Sequence, residues 1–286
     1  PKILDLTTST STRPQIKHAA LILIKTLVNN FEETFQDRYY IPFYTAIIKI
    51  LQNYRKENHR VLEQCVKCLS HFHKDATTEQ FRDKSEIILK QLSCIANDSN
   101  INNDKLKAHT VTAIGTCADV LKQMFLPYYD KFMPMMMQII PNNKCDQILR
   151  GKAMECVGMI GQSVGNTRFM EDAHKLMALL IPFRDQLKQE NAKNITEYKE
   201  QTKGQNMTET GIRKTPNREM FDTTAYNYVN QLFARISKCI GDSFVQYFPK
   251  VIPQILESAQ IDAAQIMRPD EVIPSDPRFS VFTVHI

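Results

Sequence analysis

The sequence has no hydrophobic run long enough to cross a membrane and no basic leader followed by an apolar stretch. Its apolar runs are only a handful of residues long, whereas a transmembrane helix needs roughly 18. These absences predict a soluble intracellular protein with no membrane partner. The net charge is +5, but Lys and Arg form no dense cluster, so no direct nucleic-acid binding is expected.

Motifs that carry enzyme chemistry are also missing. Residues 158–166 read GMIGQSVGN, but this stretch lacks the Gly-Lys-Ser/Thr ending of a phosphate loop and follows no predicted strand. No Ser or Cys stands beside a His in a glycine-rich elbow, and the sequence shows no obvious pair of carboxylates. The sequence therefore predicts a protein that is not an enzyme and that needs no cofactor.

The seven cysteines lie inside apolar helical patterns, which predicts reduced, buried thiols in a cytosolic or nuclear protein. The segment CVKCLSHFH brings Cys65, Cys68, His71 and His73 close together, and zinc favours such ligands. However, Cys65 shares one helical face with Leu69, whereas a structural zinc site takes its ligands from two elements. We expect core packing and no metal, with a zinc site as the alternative.

A repeat of about 42 residues runs along the chain. Three segments share one order of apolar, aromatic and variable positions: YIPFYTAIIK from Tyr40, FLPYYDKFMP from Phe125 and FVQYFPKVIP from Phe244. Two further copies start at Phe81 and Arg168. This period is typical of helix-pair solenoids of the HEAT and armadillo type.

A second helical segment, with apolar residues three and four positions apart, precedes each copy. The five segments begin at Ile16, His59, Asp104, Leu149 and Ala225. Each repeat is thus predicted to consist of helix A, a tight turn and helix B. The predicted fold class is all-α: an α-solenoid of about five HEAT-type helix pairs with one long polar insertion.

The insertion has few large apolar side chains, and its charges alternate in sign. It is predicted to form a loop, or a helix extension followed by a loop. It is either a passive solvated loop or a loop that contacts a partner. The predicted boundaries are a polar lead-in at 1–14, HEAT repeats one to four at 15–183, the polar insertion loop at 184–220, HEAT repeat five at 221–264, and an irregular or extended segment at 265–286 that leads to a missing next repeat.

The methionine-rich stretch FLPYYDKFMPMMMQIIP begins at residue 125. Met133, Met136, Met137 and Ile140 recur at three- and four-residue spacing. Thioether side chains adapt well to the irregular gaps between stacked helices. The stretch is therefore predicted to pack in the core as helix B of the third repeat, and not to form a cofactor or membrane site.

An ordered series of small and polar residues follows this stretch. The series is Arg150-Gly151-Lys152, Glu155-Cys156, Ile160-Gly161, Val164-Gly165, Phe169-Met170 and Asp172-Ala173. Together with FLPYYDKFMP, it resembles the karyopherin-beta (importin-beta) family of nuclear transport receptors, in the branch of importin five. The resemblance is strong over residues 117–181 and weaker over 234–259.

The resemblance implies a central fragment of a longer nuclear transport receptor. Such a receptor binds protein cargo with basic nuclear localisation signals, releases it to the Ran GTPase in its GTP form, and contacts phenylalanine-glycine nucleoporins. It shuttles between cytoplasm and nucleus. A HEAT-repeat scaffold subunit of a multiprotein complex is the alternative, because the same fold serves both functions.

The B helices of a helix-pair solenoid line its concave side, so cargo is expected to meet their polar residues. The apolar pattern leaves several such residues facing outward. The candidate cargo-groove residues are Gln52, Asn53, Glu86, Asp130, Gln138, Glu171 and Asp172. Each of them also fits an ordinary solvated position on a free helix face.

Overall fold

The computed structural model describes residues 2–202, 223–253 and 255–256. Within these ranges the secondary structure is helical and contains no strand, which confirms the all-α prediction. The helices are α1 (Lys2–Thr8), α2 (Pro14–Gln52), α3 (His59–Phe72), α4 (Thr78–Asn97), α5 (Asp104–Leu121), α6 (Leu126–Ile139), α7 (Gln147–Val164), α8 (Asn166–Thr202) and α9 (Thr223–Ile240). None of the helices described is both long and apolar enough to cross a bilayer.

The chain divides into two compact units, residues 1–245 and 246–286. All packing described below belongs to the first unit. In the second unit, residues 248–253 are helical. The extended segment predicted at 265–286 lies outside the described residues.

The helices alternate between two layers. Glu32, with φ 41° and ψ −129°, interrupts α2 and divides it into helices A and B of the first repeat. The A layer consists of the first part of α2 followed by α3, α5, α7 and α9, and the B layer consists of the second part of α2 followed by α4, α6 and α8. Successive A helices pack on one another from α3 to α9, and each helix from α4 to α8 in the B layer packs on the next A helix.

Polar side chains set where several helices begin. Asn58 accepts a hydrogen bond from the backbone N–H of Arg60 at the start of α3. Thr77 and Gln80 form a reciprocal capping box at the start of α4. Such caps satisfy N–H groups that have no partner within the helix, and each stabilises it by about 1 kcal/mol.

The turn from helix A to helix B repeatedly contains a residue with positive φ. Glu32 has φ 41° and Lys122 has φ 50°, with ψ values of −129° and −131°. Gly165 and Gly241 also have positive φ, at 82° and 53°, at the same point of repeats four and five. Positive φ is unfavourable for residues that have a Cβ atom. Two repeats therefore have a strained residue at the position where two others have glycine.

Aromatic side chains of both layers form the core. The rings of Phe43 and Phe72 stack with their centroids 4.1 Å apart, and both side chains are fully buried. Each such buried ring stabilises the fold by about 1.5–3 kcal/mol. Met133 and Met136 are buried as predicted, whereas Met137 is only half-buried.

Hydrogen bonds between side chains connect neighbouring repeats at a spacing close to the repeat length. The Gln80 side chain, for example, donates to Asp37 Oδ1 over 3.1 Å. Other bonds of this kind, spanning 42 to 44 residues, join Tyr54 to Asp98, His73 to Thr116, Thr78 to the Val120 carbonyl, and Tyr129 to Asp172. The predicted period is therefore also the spacing of polar contacts.

The structure adds detail at two of the predicted boundaries. The lead-in at 1–14 contains α1, which packs against α2 and buries Leu4. The insertion from residue 184 was predicted as a loop or as a helix extension followed by a loop; α8 continues to Thr202, which fits the extension, and Arg184 and Leu187 are buried. Residues 184–202 contain neither Gly nor Pro, so nothing ends the helix there. Residues 203–222 lie outside the described part.

Candidate functional site

The structure places the candidate cargo-groove residues on the B layer. Glu86 lies on α4, Asp130 and Gln138 on α6, and Glu171 with Asp172 on α8. All are exposed except Asp172, which is half-buried. Gln52 and Asn53 end helix α2, where the Asn53 side chain donates to the Lys49 carbonyl over 2.9 Å.

Two of the candidates, Asp130 and Asp172, lie around one arginine, and Glu171 is linked to Asp172 through Lys175. Arg168 Nη2 donates to Asp130 Oδ1, and Arg168 Nη1 lies 3.7 Å from Asp172 Oδ2. The guanidinium carbon lies 4.0 Å from the centre of the Tyr129 ring, a cation–π arrangement. We call the group of Tyr129, Asp130, Arg168, Glu171, Asp172 and Lys175 the Arg168 cluster.

Tyr129 fixes Asp172 in the Arg168 cluster. Its hydroxyl donates to Asp172 Oδ2 over 2.7 Å, from α6 to α8. Burial and, second, this bond to a carboxylate raise the pKa of Tyr129 well above its ordinary value. The tyrosine therefore stays a hydrogen-bond donor at all physiological pH values.

Lys175 provides the second cation of the Arg168 cluster. Its ammonium lies 2.7 Å from Glu171 Oε1 and 3.4 Å from Asp172 Oδ1. The hydrogen bond to Glu171, followed by that to Asp172, raises the pKa of Lys175. Three carboxylates thus face two cations, and the cluster carries one excess negative charge.

The remaining candidates are not part of this group. Glu86 forms none of the ion pairs found among the described residues. Its neighbour Ser85 has its Oγ 3.4 Å from the Tyr128 hydroxyl, which places this turn of α4 beside α6. No contact joins Gln52, Asn53 or Gln138 to the Arg168 cluster among the described hydrogen bonds and ion pairs. The groove prediction therefore divides into one organised cluster and separate exposed positions.

Sequence reasoning missed three members of the Arg168 cluster: Tyr129, Arg168 and Lys175. The repeat period could have revealed the first contact, because Tyr129 and Asp172 are 43 residues apart. Lys175 also stands four residues after Glu171, a spacing that puts two charges on one helical face.

The side chains of CVKCLSHFH have separate neighbours. The Cys68 thiol donates to the Leu21 carbonyl, His71 Nδ1 lies 2.9 Å from Asn29 Oδ1, and His73 Nδ1 lies 3.3 Å from Thr116 Oγ1. Burial raises the pKa of Cys68 to about 12, so it stays a thiol. Within the described residues, no three His, Cys, Asp or Glu side chains are grouped as metal ligands would be.

The glycine-rich segment of α7 serves close packing. A Cβ at Gly151 would lie 2.2 Å from the Tyr228 ring, and a Cβ at Gly161 would lie 2.7 Å from the Phe169 ring. Both distances are far below ordinary van der Waals contact. These glycines allow neighbouring helices to approach closely, and both lie within helix α7.

Comparison with protein families assigns this repeat array. The profile of the family described as "Importin subunit beta-1-like, TPR repeats" matches residues 98–245, which is more than half of the chain. The chain belongs to this importin-beta family. The matched range includes α5 to α9 and therefore the whole Arg168 cluster.

Curated relatives agree with the assignment. The chain is 24% identical over 263 residues to importin subunit beta-3 of Saccharomyces cerevisiae, covering 91% of this chain and 21% of the relative. It is 18% identical over 182 residues to a probable importin-5 homolog of Dictyostelium discoideum, covering 63% and 13%. The importin-beta chain described here thus spans about a fifth of the length of its yeast relative.

Solved structures share the fold. The crystal structure of Kap121p bound to Pho4p matches with a TM-score of 0.71 at 22% identity, covering 91% of this chain and 21% of that one. Kap121p bound to the SUMO protease Ulp1p matches equally, with the same TM-score, identity and coverage. A Kap121p mutant in which three acidic residues are replaced by lysine matches with a TM-score of 0.70 at 22% identity, covering 91% and 22%. These structures confirm the helical solenoid.

Proposed function

We propose that this importin-beta chain binds basic segments of protein cargo through the B layer, as part of a longer nuclear transport receptor. The proposal rests on the Arg168 cluster, in which three carboxylates from two adjacent B helices lie close together. Kap121p has been crystallised with several proteins, among them Pho4p and Ulp1p. Family membership supports this function over a general scaffold role.

The cluster suits a cationic ligand because its carboxylates exceed its cations. Glu171 is 78% exposed and Asp130 is 82% exposed, so both can pair with an incoming lysine or arginine. An exposed ion pair contributes only about 0–1 kcal/mol. Affinity therefore requires several repeats to act together, and Glu86 offers a further carboxylate on the preceding B helix.

Charge reversal tests the assignment. A labelled lysine-rich peptide should bind the chain about tenfold more weakly when Asp130, Glu171 and Asp172 are all replaced by Lys. The double variant D130K/E171K keeps the Tyr129–Asp172 bond and should lose most of the same affinity. Its matched control, D5K/D119K, makes the same change in net charge away from the B layer and should bind normally. Unchanged affinity of the triple variant, or equal loss in the control, would refute the cargo-groove assignment.

The remaining partners follow from the family alone. We infer that the whole receptor binds Ran in its GTP form and phenylalanine-glycine nucleoporins, and that it shuttles between cytoplasm and nucleus. A pull-down of the full-length protein with Ran loaded with GTP or GDP tests this inference. Retention by both nucleotide forms alike, or by neither, would contradict regulation by Ran.

A further inference from the structure

The A and B layers differ in charge although they are similar in size. The A-layer helices carry ten Lys and Arg against four Asp and Glu, a net charge of +6. The B-layer helices, counted from residue 33 and up to residue 183, carry eight of each and are neutral. The positive charge of the chain therefore resides on the A layer, opposite in sign to the excess charge of the Arg168 cluster.

Several of the basic side chains of the A layer lie in a row that crosses successive repeats. Glu63 Oε1 lies 2.6 Å from Lys67 Nζ, 3.5 Å from Lys105 Nζ and 3.7 Å from His109 Nε2. One carboxylate thus holds two ammonium groups and an imidazole from α3 and α5. Lys105 is 71% exposed, so its charge faces solvent.

The row extends in both directions from Glu63. Lys25 of the first A helix and Lys67 both act electrostatically on His71, whose ring bonds to Asn29. Lys152 of α7 acts on His109 and lies 5.4 Å from the centre of the Tyr228 ring of α9. We call Lys25, Lys67, Lys105, His109 and Lys152 the basic row.

The two histidines, His109 in the basic row and His71 beside it, have lowered pKa values and add no positive charge to the row near neutral pH. Burial is the main cause of the lowered pKa of His109, about 4, and Lys67, Lys105 and Lys152 lower it further while Glu63 opposes them. His71 also has a lowered pKa, first from burial and then from neighbouring lysines. Because the imidazoles are neutral, the positive charge that a ligand meets along the row comes from the lysine ammonium groups, and Glu63 and Glu155 offset part of it.

We propose that the basic row is a docking surface for an acidic segment of a protein partner, distinct from the cargo-binding B layer. Charge complementarity favours this occupant. Apolar surface lies beside the lysines as well, because Ile22 is 41% exposed one helical turn before Lys25, and the Tyr228 ring flanks Lys152. A peptide that mixes carboxylates with aliphatic side chains can use both kinds of contact.

A nucleic acid fits this surface less well. Glu63 and Glu155 lie within the row, where each would repel a phosphate backbone. The lysines occur about one per helix, which provides few phosphate contacts for a polyanion. An acidic peptide can place its carboxylates opposite the lysines and its uncharged residues opposite the two glutamates.

A binding experiment on the whole chain tests the proposal. The probe is a fluorescent peptide that repeats Glu-Asp-Leu, compared with its uncharged Gln-Asn-Leu counterpart. The acidic peptide should bind and the uncharged peptide should not. Raising the salt concentration from about 50 to about 300 mM should strongly weaken binding of the acidic peptide, because salt screens surface charges. Binding of both peptides alike would overturn the proposal.

Matched variants locate the binding surface. K25E/K105E/K152Q should weaken acidic-peptide binding about tenfold, whereas K84E/K90E/K131Q, which changes the net charge of the B layer equally, should weaken it less than about twofold. K105E alone, at a side chain that supports no core contact, should weaken it about threefold. Equal losses in the two triple variants, or no loss in K105E, would overturn the proposal. The proposal would also be overturned if single-stranded RNA bound more tightly than the acidic peptide and lost affinity in the same basic-row variants.

Discussion

The Tyr129 hydroxyl donates a 2.7 Å hydrogen bond to Asp172 Oδ2, one repeat further along the chain. The bond joins two adjacent B helices. The other oxygen of the same carboxylate, Oδ1, lies 3.4 Å from Lys175 Nζ. One side chain thus both connects the repeats and orients a charge toward the outer face of the B layer. The contribution of this contact to stability can be separated from its contribution to binding.

Replacing Tyr129 with Phe should lower the free energy of unfolding by about 1–2 kcal/mol, because a hydrogen bond to a carboxylate is lost. Tyr128→Phe is the matched control. Its hydroxyl is 3.4 Å from Ser85 Oγ, a long and weak contact, so its removal should change stability little. Urea denaturation of both variants makes the comparison, and equal effects would contradict a special role of Tyr129.

Under the proposed function, Arg168 would compete with a basic cargo segment for the carboxylates of the Arg168 cluster. Arg168→Gln removes one cation and the contact with Tyr129, so the net charge of the cluster becomes more negative. A lysine-rich peptide should then bind about threefold to tenfold more tightly. Arg82→Gln is the control, since Arg82 pairs only with its neighbour Asp83 among the described ion pairs. Weaker peptide binding by the Arg168 variant would show that the arginine helps to organise the site.

Glu32 and Lys122 adopt positive φ values of 41° and 50°, which glycine tolerates better than other residues. Replacing either with Gly should raise the free energy of unfolding by up to about 1 kcal/mol. Glu33→Gly, placed in the following helical residue, should lower it by about 1 kcal/mol. Thermal or urea unfolding distinguishes these outcomes, and destabilisation by all three substitutions would refute the strain assigned to the turns.

His73 should make stability depend on pH. Burial lowers its pKa in the folded state to about 3, below the ordinary value of 6.5. The unfolded state therefore binds more protons between these two values, so stability is complete above about pH 6.5 and falls as pH decreases toward about 3, with a slope of up to about 1.4 kcal/mol per pH unit. His73→Gln should flatten the loss of stability between about pH 6 and pH 4.

His59→Gln is the control for this experiment, because His59 is exposed at the start of α3. Its variant should retain the pH dependence of the unmodified chain. An unchanged slope in the His73 variant would contradict the assignment to that imidazole.

The repeat pattern predicted the architecture because each helix has its own apolar stripe. In the repeated aromatic pair of the B helices, Tyr44 and Tyr129 are buried. Whether a side chain is buried depends on which face of its own helix it occupies, and the spacing of apolar residues along the sequence shows that face. The end of α8 at Thr202 was harder to predict, because the extension beyond Leu187 consists of residues that suit a helix, a loop or a solvent-exposed turn equally.

The site was predicted only in part. Asp130, Glu171 and Asp172 were recognised as outward-facing polar residues, but the sequence did not show that Arg168 joins them. A pattern along one helix shows which face a residue occupies, whereas an ion pair depends on the rotation between two helices. The charge difference between the layers was visible only after each residue had been assigned to its helix.

The side-chain bonds between repeats have a consequence for how such arrays change in length. Several of these bonds join residues 42 to 44 positions apart, as between Thr78 and Val120 or Tyr129 and Asp172. If a segment of that length were duplicated, its acceptors would lie opposite the donors of the preceding repeat, and its donors would lie opposite the acceptors of the following repeat. A segment of another length would displace every later partner. Duplication or loss of a whole repeat is therefore expected to keep these hydrogen bonds, whereas an insertion of another length within a helix is expected to break them.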